Sequence, residues 1–261
     1  MVQELILFTI SVLPVILIGQ FVYKKDKNKE PIKLLIKLFL GGIASCFLVL
    51  FISYILGLIF PIFNKNAENL NSIELIIYIF IDVALVEEFS KWIFAYKISY
   101  NDKEFDQFYD AIIYCIFVAL GFACLENLLY VYQFGIATGI TRALLAVPGH
   151  ACDGMFMGYY LGLAKIGDLN NRKDIKIKNI ILSILIPTIT HGIYDYCLYN
   201  GKKIFIIFFY IFVIFIYIYV IKKIKKISSI NKKIKYKDNY CPNCGHIIDS
   251  DYCPICGRKN E

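Results

Sequence analysis

Charge is scarce in this sequence. Asp, Glu, Lys and Arg make up 19% of the 261 residues, histidine occurs three times and tryptophan once, where a soluble domain usually carries about 25% charged residues. With 58% hydrophobic and 16% aromatic residues and a mean hydropathy of +0.60, this excludes an ordinary soluble domain and points to a polytopic membrane protein. A basic segment is missing ahead of the first apolar run, where Glu4 stands instead, and no small-residue cleavage site precedes Tyr23. That run therefore reads as a retained span and not as a signal peptide. Also missing is a pair of Gly/Pro-broken spans in corresponding halves, the mark of inverted-repeat transporters.

What the chain does have is apolar runs of the roughly 20 residues that a spanning helix needs. They lie at 5–23, 38–60, 73–98, 108–134, 140–164, 180–199 and 204–221. The fifth is interrupted by Arg142, Pro148, His150 and Asp153, which a span tolerates only where they face protein. Basic residues of the short connections fall mostly on one side: Lys24, Lys25, Lys27, Lys29, Lys33, Lys97, Lys103, Lys165, Arg172, Lys173, Lys176 and Lys178, against Lys65, Arg142, Lys202 and Lys203. The lysine-rich stretch 222–237 joins the richer side. The expectation is an all-α membrane protein of about seven transmembrane helices in the cell membrane, N-terminus outside and C-terminus cytoplasmic. The net charge of +7 is then a topology signal with some attraction to anionic lipid, and gives no reason to expect a nucleic-acid partner.

Three divisions follow: a membrane domain at 1–221, a basic juxtamembrane linker at 222–239, and a small module at 240–261. In the last, CPNCG and CPICG place Cys241, Cys244, Cys253 and Cys256 as two CxxC knuckles. Such knuckles supply four thiolates to one tetrahedral zinc, and the expected cytoplasmic side disfavours disulfides, so the module reads as a zinc ribbon that folds on its metal. His246 lies between the knuckles, but the four cysteines already fill the shell. The ribbon could dock a cytoplasmic partner or simply end the chain stably. Cys46, Cys115, Cys124, Cys152 and Cys197 stand singly in the spans and read as small apolar fillers.

The spans also hold residues that are expensive there. DVALVEEFSKW carries Glu87, Glu88 and Lys91, GFACLENLLYVY carries Glu126 and Asn127, RALLAVPGHACDG carries His150 and Asp153, and PTITHGIYDY carries His191 and Asp195. Each ionisable group near the bilayer centre costs about 2.5–3.5 kcal/mol on insertion scales, so these need partners or work to do. At 1.5 Å per residue, Glu87, His150 and His191 fall within roughly 5 Å of the midplane, and Glu126 and Asp195 roughly 8–10 Å to its outer side. Opposed spans thus bring their polar residues to one level, which predicts a common site.

Glu87 and Lys91 are i,i+4 neighbours, Glu88 and Lys91 i,i+3, and His191 and Asp195 i,i+4. Glu87 and Glu88 point about 100° apart on a helix, so one can face the site while the other pairs with Lys91 as a structural ion pair. A buried carboxylate acting as general base, imidazoles that bind metal, shuttle protons or stabilise an oxyanion, and an amide donor such as Asn127 suit amide hydrolysis. Two histidines and a glutamate also meet the minimum for a catalytic zinc, so a second metal in the membrane site stays open.

EEFSK, GFACLEN, the PGHACDG histidine segment and HGIYD, in order on four successive spans, resemble the PrsW family of intramembrane proteases, related to the CAAX-type glutamyl proteases. The resemblance covers a core at about 73–200. It implies cleavage of a membrane-anchored protein substrate, in bacteria an anti-sigma factor cut on the outer side in stress signalling. Glu87, Glu88 and Lys91 match its first motif, Glu126 and Asn127 the second, His150 the third, and His191 with Asp195 the fourth. The implied enzymes are glutamate-type or metal-dependent, and the zinc-ribbon tail departs from the core pattern.

The expected roles are Glu87 as base, His150 and His191 completing the water or metal site, Asn127 or His191 aiding the oxyanion, and Asp195 orienting His191 or holding the helix end. Arg142 reads as a headgroup anchor, and Asp82, Asp110 and Asp153 as packing or interfacial residues. Two other classes use the same features: a proton- or cation-coupled transporter working through the buried acids and histidines, and a non-catalytic membrane scaffold acting through the ribbon.

Overall fold

The protein's structure, a computed structural model, describes residues 2–230 together with Cys241, Cys253, Ile255, Cys256 and Arg258. Cys244, His246 and the linker residues 231–239 lie outside the described residues. Lipid offers no partner for backbone N–H and C=O groups, so apolar spans close their hydrogen bonds as helices, and no strand occurs among the described residues. The helices are α1 Val2–Lys25, α2 Ile32–Ile59, α3 Ser72–Ile77, α4 Val86–Ser99, α5 Phe108–Phe134, α6 Ile136–Leu144, α7 Ala146–Leu169, α8 Lys173–Asn200 and α9 Lys203–Ile230. Between α3 and α4 the helix continues as a π-helical stretch, Tyr78–Leu85. By length and composition α1, α2, α5, α8 and α9 are apolar enough to cross a membrane. The continuous helix at 72–99 and α7 are as long, but they carry Glu87, Glu88, Lys91, His150 and Asp153.

Helix α5 is the axis of the bundle. Every residue from Phe108 to Cys124 except Phe117 is buried, and α1, α2 and α7 pack around it. Where α2 crosses, glycine is required on both sides: a Cβ at Gly42 would lie 2.0 Å from the Val118 carbonyl oxygen, and one at Gly121 would lie 1.9 Å from that of Phe39. Close backbone approach is how helices associate where water gives no hydrophobic drive. Gly121→Val should therefore force α2 and α5 apart and cost about 1–3 kcal/mol, read as a lower unfolding midpoint in detergent. The outer faces carry lipid-facing side chains such as Phe47, Leu50, Phe51 and Tyr54.

The fifth expected span is two helices. Pro148 lacks the N–H that would bond the Leu144 carbonyl, and its ring crowds that group. The helix breaks at Leu145 and restarts with proline in its first turn, where the missing N–H does no harm. The hydroxyl of Tyr217 on α9 donates to the carbonyls of Leu144 at 3.4 Å and Leu145 at 2.6 Å. The short α6 turns Ile136, Ile140 and Leu144 outward. Helix α9 runs on through Ile230, so residues 222–230 continue the last span as helix.

The α1–α2 connection is held by Asp26, whose carboxylate accepts from the N–H groups of Asn28 and Glu30 at 3.1 and 3.0 Å. Glu30 is 4% exposed and accepts from the Tyr114 hydroxyl. Burial, foremost, raises its carboxyl from 4.5 to about 7. A raised acid means that the folded state holds the proton longer, so stability is full below pH 4.5 and is lost as pH rises through about 7. Glu30→Gln should flatten this decline, making the variant more stable than the wild type at pH 8 and little different at pH 4, by thermal melting in detergent.

Candidate active site

Four helical segments deliver the polar residues to one place. The π-helical stretch ends at Leu85, and after Val86 come Glu87 and Glu88 in the first turn of α4; π-turns occur frequently at functional sites. Helix α5 brings Glu126 and Asn127, α7 brings His150 and Asp153, and α8 brings His191 and Asp195. Glu87, Glu88, His150 and His191 each offer a ligand atom within 4.8 Å of the others.

The adjacent glutamates take different positions. Glu88 is fully buried, and its Oε1 accepts from Lys91 Nζ at 2.7 Å and from His191 Nδ1 at 2.8 Å. Lys91, 1% exposed at its side chain, also stands 3.3 Å from His150 Nδ1 and 4.2 Å above the Phe122 ring. Glu87 is 13% exposed at its side chain and only loosely held, its Oε2 being 3.5 Å from Lys91 Nζ and 3.8 Å from His191 Nε2. It lines a cavity of about 330 Å³ whose wall also includes Glu126, Arg142, His150, His191 and Asp195.

Hydrogen bonding orients both imidazoles. An ionised Glu88 only accepts, so Nδ1 of His191 carries the proton in that bond and Nε2 faces Glu87 and the cavity. Asp195 Oδ2 lies 3.4 Å from the same Nε2. The Lys91 ammonium has only donors, so His150 accepts at Nδ1 and donates from Nε2 to Glu126 Oε2 at 2.8 Å. The two rings are 5.4 Å apart at 83°.

Arg142 differs from its expected place as a headgroup anchor. It folds inward, with a terminal guanidinium nitrogen 2.7 Å from Glu126 Oε2, Nε donating to Asn127 Oδ1 at 3.1 Å, and its guanidinium 4.1 Å over the Tyr130 ring. The break at Leu145 is what turns α6 to allow this. Asn127 is fully buried and donates its amide N–H to the Ser11 carbonyl at 2.9 Å, so both ends of its amide serve α1 and Arg142. Asp153, expected to be a packing residue, lines the cavity and accepts from Thr190 Oγ1 at 2.5 Å. Asp82 lies in the π-helical stretch and Asp110 in the first turn of α5, both away from the cavity lining. An arginine in an apolar run was the signal for Arg142; Asp153, three residues after His150, carried none beyond its rarity.

Near the C-terminus, Cys241, Cys253 and Cys256 also place their sulfurs within 4.8 Å of one another and could hold a metal ion.

Carboxylates, imidazoles and a cavity enclosed by membrane-length helices define the class: an intramembrane hydrolase. A family model described as "PrsW family intramembrane metalloprotease" matches residues 30–221, and the chain belongs to this family of intramembrane proteases. It is 36% identical to the Protease PrsW of Oceanobacillus iheyensis over 188 residues, 72% of this chain and 80% of that one. It is 31% identical to that of Bacillus subtilis over 85% of this chain and 95% of the relative, and 32% identical to that of Clostridioides difficile over 89% and 95%. No solved structure matches. The protein is thus a multi-pass membrane protease acting on a membrane protein substrate.

Proposed function

We propose that Glu87 is the general base in hydrolysis of a peptide bond of a membrane-anchored, anti-sigma-like regulator. The observation that carries this is the division of labour in the glutamate pair: Glu87 lines the cavity with both histidines, while Glu88 is locked behind it by Lys91 and His191. Glu87 Oε2 takes a proton from the water that adds to the scissile carbonyl and returns it to the departing amine, so the C–N bond breaks with no net proton lost. His191, held at Nδ1 by Glu88, accepts from the water at Nε2 or, once protonated there, donates to the oxyanion, with the Asp195 carboxylate 3.4 Å from that nitrogen to favour the protonated form. Glu126 fixes His150, and Arg142, itself held by Asn127, positions Glu126. Arg142 is the cavity-lining cation available to developing negative charge.

The donors fit a metal ion as well. Glu88 Oε2 is buried without a protein partner, and two imidazoles with a carboxylate form a common catalytic zinc set. His150, His191 and Glu88 would hold it, leaving Glu87 for the proton. Zinc there would lower the pKa of the attacking water and polarise the carbonyl. A structural zinc would sit on Cys241, Cys253 and Cys256, with Cys244 as the fourth thiolate, in the C-terminal ribbon.

The test is cleavage of a single-span reporter by the purified protein in proteoliposomes, together with zinc per chain for the wild type and a form truncated before Tyr240. Reporter fragments that vanish with His191→Ala are expected. A truncated form retaining about one zinc that His150→Ala/His191→Ala removes marks a metal-dependent site; loss of all zinc with the tail leaves glutamate chemistry alone. Glu87-dependent ion flux with no cleavage would overturn the reading in favour of a transporter.

A further inference from the structure

A second cavity, larger than the first, lies on the other side of α7. It is a groove of about 480 Å³ between α1, α5, α7 and α9, lined by apolar side chains such as Leu17, Phe21, Ile116, Ala151, Cys152 and Val220, with Lys225 its one charged wall residue. Hydrogen bonds tie helix α9 to the bundle near both ends of this groove. At one end the Tyr217 hydroxyl holds the Leu145 carbonyl at 2.6 Å. At the other, Ser228 Oγ donates to the Lys25 carbonyl, and Lys27 Nζ to the Ser229 carbonyl at 2.6 Å. Between these ties Val220 and Ile224 are buried on the groove wall, and the Tyr219 ring stacks on Phe156 of α7 at 6.0 Å, so α9 closes one side of the groove. Close-packed interiors do not keep apolar space of this size without losing the dispersion contacts of its walls, and in a bilayer the fluid that fills an apolar groove is acyl chain.

The open end carries positive charge. Lys225 is on the wall, and Lys25 Nζ lies 6.0 Å over the ring of Phe21, another wall residue. Lys225 has no acidic partner among the described residues, and the acid beside Lys25, Asp26, is engaged by the N–H groups of Asn28 and Glu30. This end is the one that the lysine excess assigns to the cytoplasm. From Tyr217 to Lys225 the groove rises roughly 12 Å at 1.5 Å per residue, a depth that suits an acyl chain reaching inward from a headgroup at the surface. We propose that the groove binds one anionic phospholipid of this leaflet, its acyl chain against α1, α7 and α9 and its phosphate between Lys25 and Lys225. Ala151 and Cys152 follow His150 directly on α7, so the lipid packs behind the helix that presents the imidazole.

The experiment is native mass spectrometry of the delipidated full-length protein, titrated with phosphatidylglycerol or phosphatidylcholine of identical chains. One phosphatidylglycerol should stay bound at least fivefold more strongly than phosphatidylcholine. Lys25→Gln and Lys225→Gln should each weaken it about fivefold, as expected for one basic residue near an anionic headgroup. Ala151→Leu, which fills the groove, should weaken both lipids. Equal retention of the two lipids, undiminished retention by the double lysine variant, or retention of a single-span peptide in place of lipid would each overturn the proposal. None of these readouts depends on proteolysis, so failure here is separable from failure of the assignment of Glu87.

Discussion

Glu87→Gln is expected to lower kcat/KM for a membrane-anchored substrate by about 10³-fold or more, because the amide keeps the shape of the side chain and loses the basic oxygen. The unfolding midpoint should barely move. Glu87 makes no short bond to the protein, its nearest cation and imidazole contacts being 3.5 and 3.8 Å away. Glu88→Gln should behave differently, losing activity and stability together, since Glu88 carries short bonds to both Lys91 and His191. Glu87→Asp keeps the base but withdraws it by one methylene, and a partial loss is expected, since catalysis is sensitive to misplacement of about 1 Å. Steady-state cleavage of a reporter in proteoliposomes decides the matter. Activity of Glu87→Gln within tenfold of the wild type would move the base elsewhere, with Glu126 the next carboxylate on the cavity wall.

The largest stability effect is expected at Lys91. Its ammonium is buried against Glu88 at 2.7 Å with no access to water, so Lys91→Met leaves an uncompensated carboxylate inside the bundle. Breaking a buried pair by removing one partner costs about 3–5 kcal/mol. Removing the charge of both partners is far milder, and Lys91→Met combined with Glu88→Leu should recover most of the loss. Unfolding in detergent with increasing dodecyl sulfate measures all three variants. A loss under about 1 kcal/mol for Lys91→Met would show that Glu88 is neutral in the fold and that the pair is not what fixes α4. The rescued double variant should stay inactive, because His191 Nδ1 would no longer have an acceptor in Glu88.

The membrane class, the α5 boundaries and the separation of Glu87 from Glu88 were legible because each depends on local rules: apolar length, helical rotation and the cost of charge in lipid. The 108–134 run and α5 coincide, and the EE pair splits its directions as a helix of ordinary pitch requires. Residues 140–164 show where such rules fall short. Their apolar content alone describes one span, whereas Pro148 decides the break, and the Tyr217 hydroxyl that meets the freed Leu144 carbonyl arrives from about 70 residues away in sequence. Arg142 was misplaced for the same reason, since an outward anchor and an inward clamp on Glu126 differ only in how α6 is turned. The π-helical stretch has no signature in YIFIDVAL; its widening comes from tertiary packing against α8, where the Phe80 ring sits so close to Gly192 that a Cβ there would lie 2.5 Å from it.

That stretch has a consequence for insertions and deletions. Each π-turn holds one residue more than an α-turn, so Tyr78–Leu85 stores surplus chain just upstream of the glutamates. Deleting one residue there would let the segment tighten to α-helix and rotate α3 about the axis, while the ion pair and His191 keep Glu87 and Glu88 where they are. The same deletion between Glu88 and Lys91 has no such reserve to draw on. Length variation should therefore be tolerated on one side of the glutamate pair and forbidden on the other.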